Sequence, residues 1–138
     1  MQGGNVKEIF NPAANEDKVG EVVQVKDADL ETALVCAELA APQWAKTPGN
    51  ERAEILERAA DRMEADIKPL INILVREAGK TFANAISEVR EAVDFLRYYA
   101  LQVRSNFNDQ SFVPLGPVVC ISPWNFPLAI FTGQIAAA

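Results

Sequence analysis

The run Pro117-Val118-Val119-Cys120-Ile121-Ser122-Pro123-Trp124-Asn125-Phe126-Pro127-Leu128 holds the residues best suited to do chemistry. A proline drives the residue before it into extended geometry, so Ser122 and Phe126 are both restricted. Pro127 in turn suits the first turn of a following helix. Trp124 and Asn125 therefore sit in a stiff turn after Val118–Ile121. That run is all apolar and rich in β-branched residues, and it predicts a strand over 117–122 buried on both faces, as in a parallel sheet. Open α/β sheets bind ligands at the carboxyl ends of their strands. The Asn125 amide is a neutral donor at any pH. Aimed at a developing oxyanion, such a donor contributes ~3 kcal/mol. The same residues also suit a plain turn, with Asn125 capping it and Trp124 filling the core.

Other reactive side chains are less promising. Glu88, Arg90, Glu91 and Asp94 place several charges on one helix, where paired carboxylates could do acid–base work. A solvated face with an Arg90–Asp94 pair at i,i+4 is the plainer expectation for Glu88 and Asp94. Lys80 follows Gly79, but no first glycine precedes it as a phosphate loop requires, so a surface lysine is expected. Cys120 lies inside an apolar run with no adjacent cation to form a thiolate, and Cys36 falls on the core side of a helix. Both read as unreactive thiols.

Composition narrows the field. Thirteen Lys+Arg against nineteen Asp+Glu give a net charge of −6, which disfavours nucleic-acid binding. There is no histidine, so a Ser-His-Asp or Cys-His nucleophile and a His-ligated metal are excluded within this chain. Two cysteines without a CxxC exclude a zinc ribbon and a disulfide-dense scaffold. Met1-Gln2-Gly3-Gly4-Asn5 has no basic or apolar signal region, and no apolar run nears the ~20 residues of a spanning helix. No membrane insertion and a reducing cytoplasm are expected.

The positioning elements follow from periodicity and punctuation. Val6–Phe10 and Val19–Val25 are β-prone, and Asn11-Pro12-Ala13-Ala14-Asn15 turns between them, which predicts a hairpin. Asp27 is the expected N-cap of a helix to Trp44, with Leu30, Ala33, Leu34, Ala37, Ala41 and Trp44 on one face toward a core. Thr47-Pro48 reads as N-cap and first position of a helix over 48–64, whose Ile55, Leu56, Ala59, Ala60 and Met63 point inward. Asp66 caps a third helix to Ala78, with Ile67, Leu70, Ile71, Leu74, Val75 and Ala78 inward and Gly79 at C′. A long helix over 81–104 carries Phe82, Ile86, Val89, Val93, Leu96, Ala100 and Val103 in alternating steps of four and three. A coiled coil is the alternative reading of that seam. A polar loop over Asn106–Gln110 precedes the apolar run. The helix-forming end Gln134-Ile135-Ala136-Ala137-Ala138 carries no stop signal, so a piece of a longer protein is expected.

The turn Ile121-Ser122-Pro123-Trp124-Asn125-Phe126-Pro127 resembles a signature of the aldehyde dehydrogenase superfamily. Other matches fall in that family's order: Asn11-Pro12-Ala13 with Val19-Gly20-Glu21-Val22, Ala33 to Trp44, Glu51 to Leu56, Glu77-Ala78-Gly79-Lys80-Thr81, and Asp94 to Ala100. Ile73 to Phe82, Glu91 to Phe95 and Asn125 to Gln134 most resemble pyrroline-5-carboxylate dehydrogenases, in particular the domain found in bacterial bifunctional proline-utilization proteins.

The resemblance implies an α/β fold. Residues 1–138 would be the amino-terminal part of a nucleotide-binding domain, mostly helical, with a short hairpin and the first strand of the sheet. It implies NAD-dependent oxidation of glutamate γ-semialdehyde to glutamate, a linked proline dehydrogenase domain that alone would hold FAD, and a homo-oligomer. Asn125 matches the oxyanion-hole donor. Ile121, Ser122, Pro123 and Trp124 match the turn beside the nicotinamide ribose, Phe126 a wall of the aldehyde channel, and Glu91 an acidic residue near the substrate pocket. No metal is implied. The family's nucleophilic cysteine, general-base glutamate, ribose-binding lysine and phosphate turn fall further along than Ala138, so the chain alone is expected to be inactive. Another semialdehyde dehydrogenase, for instance one acting on succinate semialdehyde, and a non-catalytic helical interaction module are the alternatives. The unpaired strand over 117–122 further predicts self-association through 111–138, or a disordered 111–138 beside a helical bundle.

Overall fold

Asn11 turns the chain back on itself. Its Oδ1 accepts the Ala13 amide at 2.9 Å, an Asx turn closed across Pro12. The flanking strands β1 (Val6–Asn11) and β2 (Ala14–Val23) pair antiparallel, from Val6 opposite Val23 to Asn11 opposite Ala14. Glu8 and Glu21 stand directly opposite each other, a repulsive arrangement. Lys18 Nζ relieves it by bridging both carboxylates at 2.5 Å. A computed structural model describes residues 4–107 and 111–138. Five helices follow the hairpin: α1 (Asp27–Trp44), α2 (Gly49–Ala65), α3 (Ile67–Ala78), α4 (Phe82–Asn106) and α5 (Ala129–Ala137). The loop expected at Asn106–Gln110 lies mostly outside the described residues, as does the start of the Met1–Asn5 segment.

The register slips between Ile9 and Phe10 and again between Phe10 and Asn11, so β2 carries extra residues that bulge out of the ladder. Asp17 lies in that bulge and receives Arg76 of α3 through Nη2 at 2.5 Å and Nε at 3.0 Å, with Asn11 Nδ2 at 3.1 Å. The hydrogen bonds from Arg76, then Asn11, hold the Asp17 carboxyl below its ordinary range. A carboxylate whose pKa is lowered by folding stabilises the fold above its unfolded value and ceases to do so as pH falls through the folded one. Asp17→Asn is therefore expected to lower the urea midpoint at neutral pH. The gap from the parent chain should close as pH drops below the ordinary 3.8. A gap that persisted unchanged into acid would show that the Arg76 contact contributes no linked stability.

α4 is the central element. Ile71 and Leu74 of α3 pack on Ala85 and Val89, with Leu70, Ile86 and Leu128 closing the edges. Further along, Val93 and Leu96 pack on Ala60 of α2, flanked by Leu56, Met63 and Ala136. The seam read from the sequence is thus the core face, although Phe82 at its start is exposed. Arg97 with Glu64 and Asp61, and Arg104 with Glu57, pair across α2 and α4 at the surface, where such pairs add little. α3 ends as expected on Gly79, whose φ of 63° is the left-handed conformation that glycine adopts without strain.

Several expectations are corrected. α1 buries none of its residues, and Leu30, Leu34 and Trp44 are exposed. Its apolar stripe is real, but no described element packs extensively on it. Cys36 is accordingly exposed rather than on a core side. The N-cap of α1 is Lys26, with Asp27 in the first turn, and α2 is capped by Pro48 rather than Thr47. Asp66 does precede α3, but its carboxylate accepts Arg62 Nε at 2.8 Å instead of capping the helix.

The run 117–122 forms no strand. Only β1 and β2 pair among the described residues, and an apolar run without a neighbouring strand has no ladder to join. Val118, Val119 and Ile121 are exposed and Cys120 is half-buried, so neither double-sided burial nor a core thiol is realised in this chain.

Candidate active site

The chain passes from Pro123 through a turn over Trp124–Leu128 into α5. Pro127 precedes the helix, which begins two residues later than its N1 expectation. A helix begins with amides that lack intrahelical acceptors, and Leu128, at the N-cap of α5, offers no side-chain cap. The acceptor comes from α4. Glu88 Oε1 accepts the Leu128 amide at 2.8 Å and the Ala129 amide at 3.3 Å. Its negative charge also complements the positive end of the α5 dipole. Glu88 is only 2% exposed, and its other oxygen, Oε2, lies 2.6 Å from Lys80 Nζ, whose side chain is 12% exposed. The same ammonium sits over the Phe126 ring, 4.5 Å from its centroid.

Neither residue matches its sequence reading, which placed both at the solvated surface. The signal for Glu88 was its spacing. With Ala85, Ala92 and Leu96 it steps along the buried face of α4. Arg90 and Asp94 form no ion pair among the described residues.

Two further contacts fix α5. Gln134 Nε2 donates to the Ile121 carbonyl at 2.8 Å, tying the extended segment to the helix behind it. A Cβ on Gly133 would meet Phe95 Cδ2 at 2.8 Å, so only glycine allows α5 to approach α4 this closely.

The sequence-predicted residues 121–126 follow one another along the chain, and all but Ser122 are exposed. Ile121 and Trp124 are 81% and 88% exposed, so Trp124 does not fill the core. Pro123 and Asn125 are exposed, Phe126 somewhat less so, and Ser122 is half-buried. The Asn125 amide makes no hydrogen bond with described residues and is open to a ligand. Trp124, with Pro127, also borders an open apolar groove of about 520 Å³ against Leu70, Ile73 and Pro12. Glu91 is exposed on α4, three residues beyond Glu88, and no hydrogen bond or ion pair brings it to the turn. Among the described residues no cluster of three or more His, Cys, Asp or Glu could hold a metal, and no helix is long and apolar enough to cross a membrane. The turn can therefore present a neutral donor, Asn125, beside a flat apolar face.

The aldehyde dehydrogenase family model matches residues 1–138. The chain belongs to the aldehyde dehydrogenase family. It is 62% identical over 138 residues to the bifunctional protein PutA of Escherichia coli, covering 100% of this chain and 10% of that protein. To the 1-pyrroline-5-carboxylate dehydrogenase of Bacillus mycoides it is 38% identical over 140 residues, covering 93% of this chain and 27% of that protein. Among solved structures, proline utilization A from Bdellovibrio bacteriovorus superposes with a TM-score of 0.86 at 31% identity, over 99% of this chain and 15% of the other. A 1-pyrroline-5-carboxylate dehydrogenase from Thermus with bound NAD gives 0.79 at 32% identity, over 96% and 29%. The chain thus spans about a tenth of the PutA relative's length. The helical, hairpin-bearing architecture is that of the aldehyde dehydrogenase fold, as its sequence motifs imply.

Proposed function

We propose that residues 1–138 are the amino-terminal part of the dehydrogenase domain of a longer enzyme. That enzyme oxidises L-glutamate γ-semialdehyde, formed from pyrroline-5-carboxylate, to L-glutamate with NAD in proline catabolism. The observation that carries this reading is the 62% identity to a bifunctional PutA across the whole chain. The similarity to 1-pyrroline-5-carboxylate dehydrogenases supports the substrate. The longer enzyme would include a proline dehydrogenase domain, where FAD belongs, and would act in the cytoplasm as a homo-oligomer.

The residues present fit one side of a dinucleotide. Exposed Ile121 and Trp124 offer apolar surface on either side of the Ser122 hydroxyl and Pro123. Bound NAD supplies the hydride acceptor. Asn125 donates its amide N–H to the substrate oxygen as the carbonyl is attacked and negative charge gathers there. Phe126 walls the aldehyde channel. Glu91 meets the substrate's α-ammonium, a contact that glutamate γ-semialdehyde offers and succinate semialdehyde lacks.

The test is selectivity in the full-length enzyme. The kcat/KM for glutamate γ-semialdehyde should exceed that for succinate semialdehyde. Glu91→Gln should lower only the former, by about 10–100-fold, since a charged hydrogen bond contributes ~1.5–3 kcal/mol. Equal efficiency on both aldehydes would favour another semialdehyde dehydrogenase. The 138-residue chain assayed alone should oxidise neither, and turnover by it would overturn the proposal that the nucleophile and base lie elsewhere in the longer protein.

A further inference from the structure

The Asn125 side chain has no hydrogen-bond partner among the described residues, so its aim depends on how the backbone around it is held. Pro123 and Pro127 stiffen the turn but do not anchor it to the rest of the fold. The anchors come from the start of α4 and the residues just before it. Lys80 Nζ presses on the ring of Phe126, the residue next to Asn125, and Glu88 grips the amides of Leu128 and Ala129. Lys80 is itself fixed. Its amide donates to the Leu74 carbonyl at 3.3 Å, behind the left-handed Gly79 and one residue before Thr81, whose Oγ1 caps α4 through the Asn84 amide. The buried pair therefore joins the α3–α4 junction to the carboxyl-terminal half of the turn, starting at the residue after Asn125.

We infer that Lys80 and Glu88 are positioning residues for Asn125, holding the 124–128 turn so that its amide points at the substrate oxygen; this rests on the oxyanion reading of Asn125. A cap alone would not need the lysine. Any acceptor satisfies the α5 amides, whereas the Lys80–Phe126 contact acts one residue from Asn125 and satisfies no helix terminus. The ion pair makes one rigid unit of the two contacts.

The test is a double-mutant cycle in the full-length enzyme. Glu88→Gln keeps the shape and an acceptor oxygen but removes the charge that holds Lys80. It should lower kcat by about 10–100-fold, the cost of an ångström-scale misplacement, with the KM for aldehyde and NAD nearly unchanged. In an Asn125→Ala background the same change should cost less than about twofold, because groups that act as a unit are not additive. Lys80→Arg, which keeps charge and ring contact, should restore most of the turnover lost in Lys80→Met. A normal Asn125→Ala loss combined with a full additive Glu88→Gln penalty would overturn the positioning role while leaving the oxyanion reading intact. Turnover unaffected by Asn125→Ala alone would overturn the oxyanion reading, and the positioning role with it. Should Lys80→Met fail to fold, the near-isosteric Glu88→Gln cycle decides by itself.

Discussion

Asn125→Ala in the full-length enzyme is expected to lower kcat by about 10²–10³-fold, the usual effect of losing one oxyanion-hole donor. The expectation rests on three features of the turn. The donor is a neutral amide whose protonation does not vary with pH. Its side chain is exposed and makes no competing hydrogen bond with the described residues. Two prolines and the Glu88 contacts beneath α5 fix the backbone that carries it, so little reorganisation is needed as charge develops. Because the proposed dinucleotide contacts are at 121–124 and not at Asn125, the KM for NAD should change little, and the loss should appear in kcat and kcat/KM together. Asn125→Asp should fare no better, since an ionised carboxylate cannot donate and repels the oxyanion. Full turnover in a folded Asn125→Ala enzyme would reduce Asn125 to a turn residue.

The second large effect is on stability. Lys80→Met leaves the Glu88 carboxylate, 2% exposed, without its counter-ion. Removing one member of a buried pair typically costs ~3–5 kcal/mol, more than the pair itself contributes relative to neutral groups. The urea midpoint of the chain should fall accordingly. Adding Glu88→Gln removes the stranded charge while keeping an oxygen for the Leu128 and Ala129 amides, so the double variant should regain most of the loss. A double variant as unstable as the single one would mean that the lysine stabilises through packing on Phe126 rather than through the carboxylate.

What the sequence revealed and what it hid divide along physical lines. Helix limits were legible because they depend on local chemistry. Gly79 stops α3 and Thr81 caps α4 at nearly the expected positions. The Pro123–Pro127 turn was legible for the same reason. Burial was less so, because it depends on a partner. Leu30, Leu34 and Trp44 form a correct stripe on α1 that no described element packs on extensively, and Val118–Ile121 has the composition of a buried strand with no described strand beside it. Glu88 shows residue type and spacing in conflict. A glutamate argues for solvent, but its place in the Ala85–Ala92 row argues for the interior, and there the helix geometry decides. Its ligands, two amides some forty positions away, could not be foreseen from local sequence.

The bare flanks of α1 bear on how this chain opens. Eighteen residues exceed only modestly the ~12–15 at which an isolated helix becomes marginal in water, and tertiary packing usually makes up the difference. Here it does not. Lys26 supplies no side-chain cap, Pro42 withdraws an amide from the last turns, and Thr32 Oγ1 turns back to the Ala28 carbonyl at 2.8 Å. Locally the helix is favoured by Asp27 and Asp29, at the positive end of the dipole, and by its many Ala and Leu residues. Amide protons along 27–44 should therefore exchange through small local excursions, at rates set by helix–coil equilibrium. Those of Val89 and Leu96 should wait for the whole α2–α4 core to come apart. In this chain the first helix after the hairpin should therefore open as a separate cooperative unit, melting and re-forming while the turn that carries Asn125 stays in place.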